Sequence, residues 1–531
     1  MKRYILLPLL AVAYTAQAQD TYMNERITNS SSDVIGTARY VGMGGALGAL
    51  GADISVISWN PAGIGLYRKN DVALTFGGIW GKSSISEVNR GKGTFDQAGF
   101  VYNIQTSSES CPYVNFAFNF QKKINFNHNF YAGNNNLGGL SQMDQLAQLT
   151  QWDDGWQNNL AGLALEYDKQ YDGLFFNYNK GDGYYNDFPS QSNSYKHHSE
   201  GSLQSFDFNL STNINNRAFI GITFGLDNMR YRGWSYYREN FTGADDPNYD
   251  LKNDINISGT GFNIKLGTIV RPFEDSPFRF GLAVETPTWY NLKNSTLFDY
   301  SNNLNNALES YLKFRLRSPW KVRAGIGSTI GSLLAWDIDY EYAAYNTNSM
   351  KIQEGDVYYP YDINSPGDYK DVAMNDHTRR FLRGTHTLRA GIEVNATKNL
   401  AFRVGYNLST SAYEKNVSFD QNQINYEDID VHGLGRTAID YSTSTSFMRM
   451  GTTNILTLGM GYHTKNFYVD LAYKLRNQFA DFYAFDTSFT DSENGDRVFL
   501  KYNPGLADRT IDPVNVNLTR HAITCTLGFK F

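Results

Sequence analysis

Apolar and polar side chains alternate with a period of two along most of this chain. Ile220, Ile222, Phe224 and Leu226 are interleaved with Gly221, Thr223 and Gly225, and Leu400, Phe402, Val404 and Tyr406 with Arg403, Gly405 and Asn407. The last residues repeat the pattern: Ile523, Cys525, Leu527, Phe529 and Phe531 share one face, and Ala522, Thr524, Thr526, Gly528 and Lys530 the other. Side chains of a strand point alternately to its two faces, so each segment predicts a strand with one apolar face. Counting them gives about fourteen, centred on residues 72–76, 99–105, 114–120, 206–210, 220–226, 262–266, 278–284, 320–326, 334–340, 388–394, 400–406, 456–462, 467–473 and 523–531.

The connections alternate as well. Short polar turns are expected near Asn215, Asp275, Ser328, Lys398 and Lys465. Long polar stretches separate the other pairs: Arg232 to Asp254, Asn346 to Gly384, Ser409 to Met448 and Arg476 to Asn517. An even strand number, short turns on one side and long loops on the other form the pattern of a bacterial outer-membrane barrel. A terminal strand ending on an aromatic carboxyl residue resembles the closing strand of such barrels. In them it is part of the signal read by the barrel-assembly machinery, a role the resemblance implies for Phe531.

Composition adds to this reading. Aromatic residues make up 15% of 531 residues, yet the mean hydropathy is −0.45. Both hold together when apolar residues alternate with polar ones, as in a wall with lipid outside and water inside. Lys2 and Arg3, the apolar run Tyr4 to Ala13 and the small-x-small site Ala16-Gln17-Ala18 predict an export signal over residues 1–18. The net charge of −6 has both signs interspersed, with no basic footprint for nucleic acid. Two cysteines make no disulfide framework; Cys111 in a turn and Cys525 on the lipid face are expected to be free thiols. Lys321 and Arg323 would pair across a hairpin with Asp337, Asp339 or Glu341, facing the lumen, because a charge at mid-bilayer costs about 2–4 kcal/mol.

Between the signal and the first strand lie about fifty residues with no strand pattern. They hold Gly42-Met43-Gly44-Gly45-Ala46 and then Trp59-Asn60-Pro61-Ala62-Gly63. Glycine at this density permits close packing and positive φ, and Pro61 keeps Asn60 out of helical conformation. A compact plug over residues 19–70 is expected, ahead of a barrel over residues 71–531. Gly-Met-Gly-Gly-Ala followed by Asn-Pro-Ala-Gly in this position resembles the N-terminal hatch of the FadL/TodX family of outer-membrane transporters for long-chain fatty acids and other hydrophobic compounds. The resemblance implies an all-β, transmembrane antiparallel barrel of fourteen strands with a small hatch in its lumen. It also implies a hydrophobic ligand, no cofactor, a monomer among outer-membrane lipids, and Gly42, Gly44, Gly45, Asn60, Pro61, Ala62 and Gly63 as hatch and gating residues. The long Asn- and Tyr-rich loops resemble the Bacteroidetes branch of the family, whose members are often labelled hemin receptors. His197-His198 is read instead as solvated in a polar loop.

Residues 124–202 form the longest expected insertion. Leu140, Met143, Leu146 and Leu149 recur at helical spacing, as do Leu160, Leu163, Ala164 and Tyr167. Two amphipathic helices would form an apolar capture groove, or a lid packed on other loops; the family resemblance implies the former. No Gly-x-Ser-x-Gly nucleophile elbow occurs, so no catalytic residue and no metal ligand is assigned, and an enzyme is not expected. Uptake of hydrophobic molecules is the expected function. A barrel anchoring surface or secreted proteins and a hemin receptor are the alternatives.

Overall fold

The computed structural model describes residues 23–81, 91–149, 177–242, 249–300, 308–353, 369–414, 445–485 and 511–531, apart from 24, 30–32, 180–182, 187, 274–275 and 371. The expected signal, residues 1–18, and the second expected helix, Leu160 to Tyr167, lie outside the described residues.

Fourteen antiparallel strands form the wall. They are β1 Asp71–Gly81, β2 Lys92–Gln105, β3 Tyr113–Asn125, β4 Ser190–Ile214, β5 Ala218–Phe241, β6 Tyr249–Val270 and β7 Arg279–Glu285. Then come β8 Lys321–Ile330, β9 Leu334–Ala344, β10 Gly384–Asn395, β11 Leu400–Ser409, β12 Phe447–His463, β13 Phe467–Tyr483 and β14 Arg520–Lys530. Each pairs with its neighbours in sequence, and β14 returns to β1 from Asp71↔Lys530 to Gly81↔Arg520. Asn70 and Phe531 then exchange two backbone hydrogen bonds of 3.2 Å, so the ladder closes through the last residue. A closed wall leaves no edge, the condition for a sheet to sit in hydrocarbon.

The sequence alternation becomes an inside and an outside. Phe76, Phe100, Ile220, Leu282, Val404, Leu458 and Phe529 are exposed on the outer face, while Thr75, Asn209, Thr223, Asp339, Arg403, Thr457 and Thr526 are buried inward. Cys525 lies on β14 between the outward Ile523 and Leu527, and Cys111 in the β2–β3 turn; both are free.

Strands β4, β5 and β6 run for 25, 24 and 22 residues. At about 3.3 Å per residue they stretch for about 70–80 Å, far beyond what a bilayer needs even with tilt. Much of the expected loop Arg232 to Asp254 is therefore strand, because its outward polar residues alternate with the inward Gly233, Ser235, Tyr237 and Leu251. The insertion after β3 shrinks in the same way. His128–Asn134 continues the wall, pairing with β4, whose upper half begins at Ser190. His197 and His198 are consequently in a strand and half-buried, not in a solvated loop: the His197 ring lies 5.0 Å from that of Phe130, and His198 stacks on Trp234. The turn expected near Ser328 comes at residues 331–333, with Gly331 at φ +55°.

Two neighbouring strands break where proline removes a ladder donor. Strand β7 resumes after Pro287 as Trp289–Tyr300, and Leu308–Arg317 precedes β8 across Pro319. Hydroxyls repair the gap: Thr288 N–H donates to Ser318 Oγ at 2.7 Å, and Ile264 N–H to Thr286 Oγ1 at 3.0 Å.

Candidate functional site: the filled lumen

Residues 34–67 lie within the barrel. Their apolar side chains, among them Val41, Met43, Leu47, Ile57 and Trp59, form one buried cluster with the small inward residues Ala73, Val101, Ala117 and Ala472 of the wall. The segment consists of three short helical turns. Helix α1, Ala38–Gly42, is capped by Thr37, whose hydroxyl accepts from Tyr40 N–H and donates to Asp53 at 2.8 Å. Asp53 caps the 3-10 turn Ile54–Ser58 and Asn60 caps the turn Pro61–Leu66, with proline at the first position, where its missing N–H costs nothing.

The wall holds this segment mainly by its backbone. Asp337 Oδ2 accepts from Ala49 N–H at 3.1 Å and Leu50 N–H at 2.8 Å, and Asp339 Oδ2 from Gly48 N–H at 2.8 Å. Register explains their freedom to do so: in β8–β9 they face Gly327 and Gly325, whereas Arg323 faces Glu341. Of the expected hairpin pairs, Arg323–Glu341 forms at 2.6 Å, and Asp337 and Asp339 serve the inner segment instead. Arg323 also donates to the carbonyls of Ser58 and Trp59, and Arg389 to Tyr40 Oη at 2.6 Å and the Gly45 carbonyl at 3.2 Å. Both guanidinium groups lie over the Trp59 ring, with Arg389 Cζ 3.6 Å and Arg323 Cζ 4.6 Å from its centroid. A desolvated cation over an indole is worth about 2 kcal/mol.

The sequence-derived hatch residues come together here. Asn60 Nδ2 donates to the Gly48 carbonyl at 2.7 Å and to the Thr268 carbonyl of β6 at 3.2 Å. The Pro61 carbonyl accepts from Asn209 and Ser211 of β4. The buried Ala62 N–H returns to Asn60 Oδ1, and the Gly63 carbonyl accepts from Ala52 N–H at 3.0 Å. The Gly42 carbonyl accepts from Thr457 of β12. Gly44 and Gly45 have φ of +66° and +79°, which a side chain would strain.

Close approach also needs glycine on the wall. A Cβ at Gly405 of β11 would lie 2.1 Å from Gly44 N, and one at Gly281 of β7 2.6 Å from the Gly48 carbonyl oxygen. Gly221, Gly267, Gly391 and Gly459 meet the segment similarly. These residues, the Trp59 stack and the Asp337/Asp339 acceptors were missed in reading the sequence. The available signal was glycine recurring at inward positions of strands, where it otherwise weakens pairing.

Towards the loops the interior is apolar. Residues 23 and 25–28 are helical; Met23 and Ile27 pack with Phe126, Met229, Tyr231, Tyr290, Phe314, Met350 and Met374. Above them lies a second cluster containing Phe130, Tyr195, Tyr237, Phe241, Tyr345 and Phe482. Leu140 and helix α2, Gln142–Leu149, close this cluster, with Leu140 at 1%, Met143 at 1% and Leu146 at 0% exposure. The expected open groove is covered on this helix: its apolar residues Met143 and Leu146 are buried in the interior, because the aromatic and aliphatic side chains there remove more apolar area from water than an open face would. The side chain of Leu149 lies outside the described residues. The hatch set and the loop set therefore occupy separate clusters at opposite ends of the lumen.

The carboxyl of Asp144, in the first turn of α2, and that of Glu239 of β5 are buried. Asp144 accepts from Ser141 N–H at 3.0 Å, and burial pushes it up to about 8. A cavity of about 600 Å³ opens at the turn side, lined by charged and polar groups including Arg39, Asp53, Asp71, Glu393, Asp470 and Lys530. A cavity of about 40 Å³ at the loop side is lined by Met23, Phe130, Tyr231 and Phe482 among others. Among the described residues no group of His, Cys, Asp and Glu is placed to hold a metal ion.

No protein-family model and no curated protein sequence matches the chain. Solved structures do resemble it. A Pseudomonas aeruginosa FadL homologue has TM-score 0.50 and 12% identity over 94% of this chain and 98% of that one. The Ralstonia pickettii toluene transporter TbuX has TM-score 0.47 and 12% identity over 94% and 99%, and the P. putida toluene transporter TodX 0.45 and 10% over 94% and 99%. At such identities the likeness is one of architecture: the chain shares the fourteen-stranded barrel fold of the FadL homologue.

Proposed function

We infer that this protein is an outer-membrane channel through which hydrophobic small molecules, long-chain fatty acids among them, cross passively. The observation that carries this reading is the division of the lumen. Apolar aromatic and methionine clusters fill its loop-side half, and a backbone-bonded stopper fills its turn-side half. An apolar solute gains by leaving water for such clusters, and a few polar groups would set selectivity.

In this reading residues 19–70 are the hatch. Gly42, Gly44 and Gly45 let it approach the wall, and Asn60, Pro61, Ala62 and Gly63 set its bend. Leu140, Met143, Leu146 and Leu149 belong to the loop that first receives the solute, which requires α2 to move. The strand ending in Phe531 is read by the assembly machinery, and the barrel works as a monomer.

Mass spectrometry of an organic extract of the detergent-purified protein tests the reading, with an unrelated barrel prepared identically as control. Enriched long apolar molecules are expected. An extract equal to the control, together with a co-purifying surface protein, would replace transport with anchoring. For the gate, Asn60→Ala with Pro61→Ala in an assembled barrel should reduce uptake of a labelled fatty acid; unchanged uptake removes their gating role.

A further inference from the structure

The inner wall carries a group of cations beside the point where the chain enters the turn-side half of the lumen. Lys474 and Arg476 lie on the inward face of β13, and Arg520 on that of β14 with Ala522 and Thr524. The register sets the two arginines directly opposite each other. Opposed side chains have Cβ atoms about 5 Å apart, and like charges in that relation destabilise a sheet. The strands on either side bring no countercharge. Arg476 faces Ile455 of β12, and Arg520 faces Gly81 of β1. Lys474, the next inward residue on β13, faces Ala522.

The acids nearby are already engaged. Asp33 accepts from Lys474 Nζ at 2.7 Å and lies 3.6 Å from Arg520. Asp96 is taken by Lys122 at 3.5 Å. Glu25 and Arg26, whose charges also act on Arg476, add one of each sign. Five cations thus stand against three acids among the described residues here. Arg520 donates to the Asn125 carbonyl at 2.8 Å, and Arg476 to Oε1 of the neutral Gln478 at 2.8 Å. Arg476 is 8% exposed, and its buried Nε has no hydrogen-bond partner. A buried charge is costly unless an opposite charge and hydrogen bonds compensate it. Beside these groups is a cavity of about 20 Å³, lined by Asp33, Lys474, Arg476 and Arg520 among others. That is room for one water-sized group.

We propose that this cavity binds a single monatomic anion, chloride, between the opposed guanidinium groups of Arg476 and Arg520. Charge calls for an anion, and the unpartnered Nε–H is a donor for it. Size selects a halide, since a phosphate, a sulfate or a carboxylate with its chain exceeds the space. Lys474 bonds both Asp33 and the Val34 carbonyl, the latter at 2.8 Å, at the start of the inner segment. An anion beside it relieves the repulsion in β13–β14 and so steadies the wall to which that segment is tied.

The test melts the full-length protein in neutral detergent with sodium chloride, sodium bromide or sodium gluconate at equal ionic strength. Chloride and bromide should raise the melting temperature saturably, and gluconate, too large for the cavity, should not. In crystals grown with bromide, anomalous diffraction should place one ion between Arg476 and Arg520. The variant Arg476→Met should bind bromide about tenfold less tightly, the loss of one charge-assisted hydrogen bond. In gluconate it should melt at or above the wild-type temperature, since repulsion is relieved. Equal melting of the wild type in chloride and gluconate overturns the proposal. So does a shift that never saturates, the mark of an adventitious ion only, or an unchanged halide response in Arg476→Met. Displacement of bromide by laurate would give the site to a carboxylate and overturn it as well. Uptake of apolar solutes is not the readout, so failure of the transport reading leaves this result intact.

Discussion

The two halves of the lumen are enclosed by the same fourteen strands and are filled on opposite principles. In the turn-side half, the wall presents carboxylates, guanidinium groups and glycines, and grips residues 34–67 by backbone hydrogen bonds such as those from Gly48, Ala49 and Leu50. In the loop-side half, it presents Met229, Tyr231, Tyr290 and Phe314 to Met23 and Ile27, and Tyr195, Tyr237 and Phe482 to Leu146. Hydrogen bonds are directional and costly to leave unmade, so the first half specifies one arrangement. Apolar contacts are non-directional and can be exchanged for those of another apolar molecule, so the second half can re-pack. The stopper and the binding region of the proposed channel would therefore share one lumen without sharing residues.

Substitutions at the two ends should separate these behaviours. Trp59→Ala should have the largest effect. It removes the ring over which Arg323 and Arg389 lie and should destabilise the inner segment by about 3–5 kcal/mol, as large aromatic truncations do. Ion conductance in planar bilayers should rise, with binding of an apolar fluorophore unchanged; a wild-type conductance would mean that Trp59 does not hold the stopper. At the other end Leu146→Ala should cost about 2–5 kcal/mol in packing of α2. Here the expected outcome is reversed: altered fluorophore binding at unchanged conductance. Should both variants change both readouts, the two halves are one cooperative unit.

Asp339→Ala leaves the buried Gly48 N–H without its acceptor and should cost about 1–3 kcal/mol, read as faster amide exchange at Gly48. The remaining effect is one of pH, at Asp144. Its carboxyl binds the proton more tightly when buried than when the loop is open, so the closed loop is most favoured below its ordinary value of 3.8. It loses that advantage as pH rises to about 8. Amide exchange over α2 should accelerate across that interval, and Asp144→Asn should flatten the dependence. A variant with the wild-type profile would shift the assignment to Glu239.

Much of this molecule is legible in its sequence. Period-two alternation places each strand, because a lipid-facing position tolerates no charge and a lumen-facing one does; Leu400 to Tyr406 needs no partner to declare its two faces. The Gly42–Gly45 and Asn60–Gly63 signals are equally local, since positive φ and a proline-started turn belong to short stretches of backbone. Strand ends beyond the bilayer were not legible. In the upper parts of β4 and β5 polar residues occupy the outer face, and alternation resembles a loop until the inward Tyr195, Tyr231 and Tyr237 find a core.

By itself, then, the sequence determined the number of strands, their faces, the closure on Phe531 and the segment available to fill the lumen. Tertiary structure alone decided which residues hold that segment. Asp339 meets Gly48, Trp59 meets Arg323 and Arg389, and Asn60 meets Thr268, only because register in a closed barrel brings together residues far apart in the chain. Alternation states which side of a wall a residue faces; which residues oppose one another depends on the stagger of every strand around the closed ring, a property of no single segment.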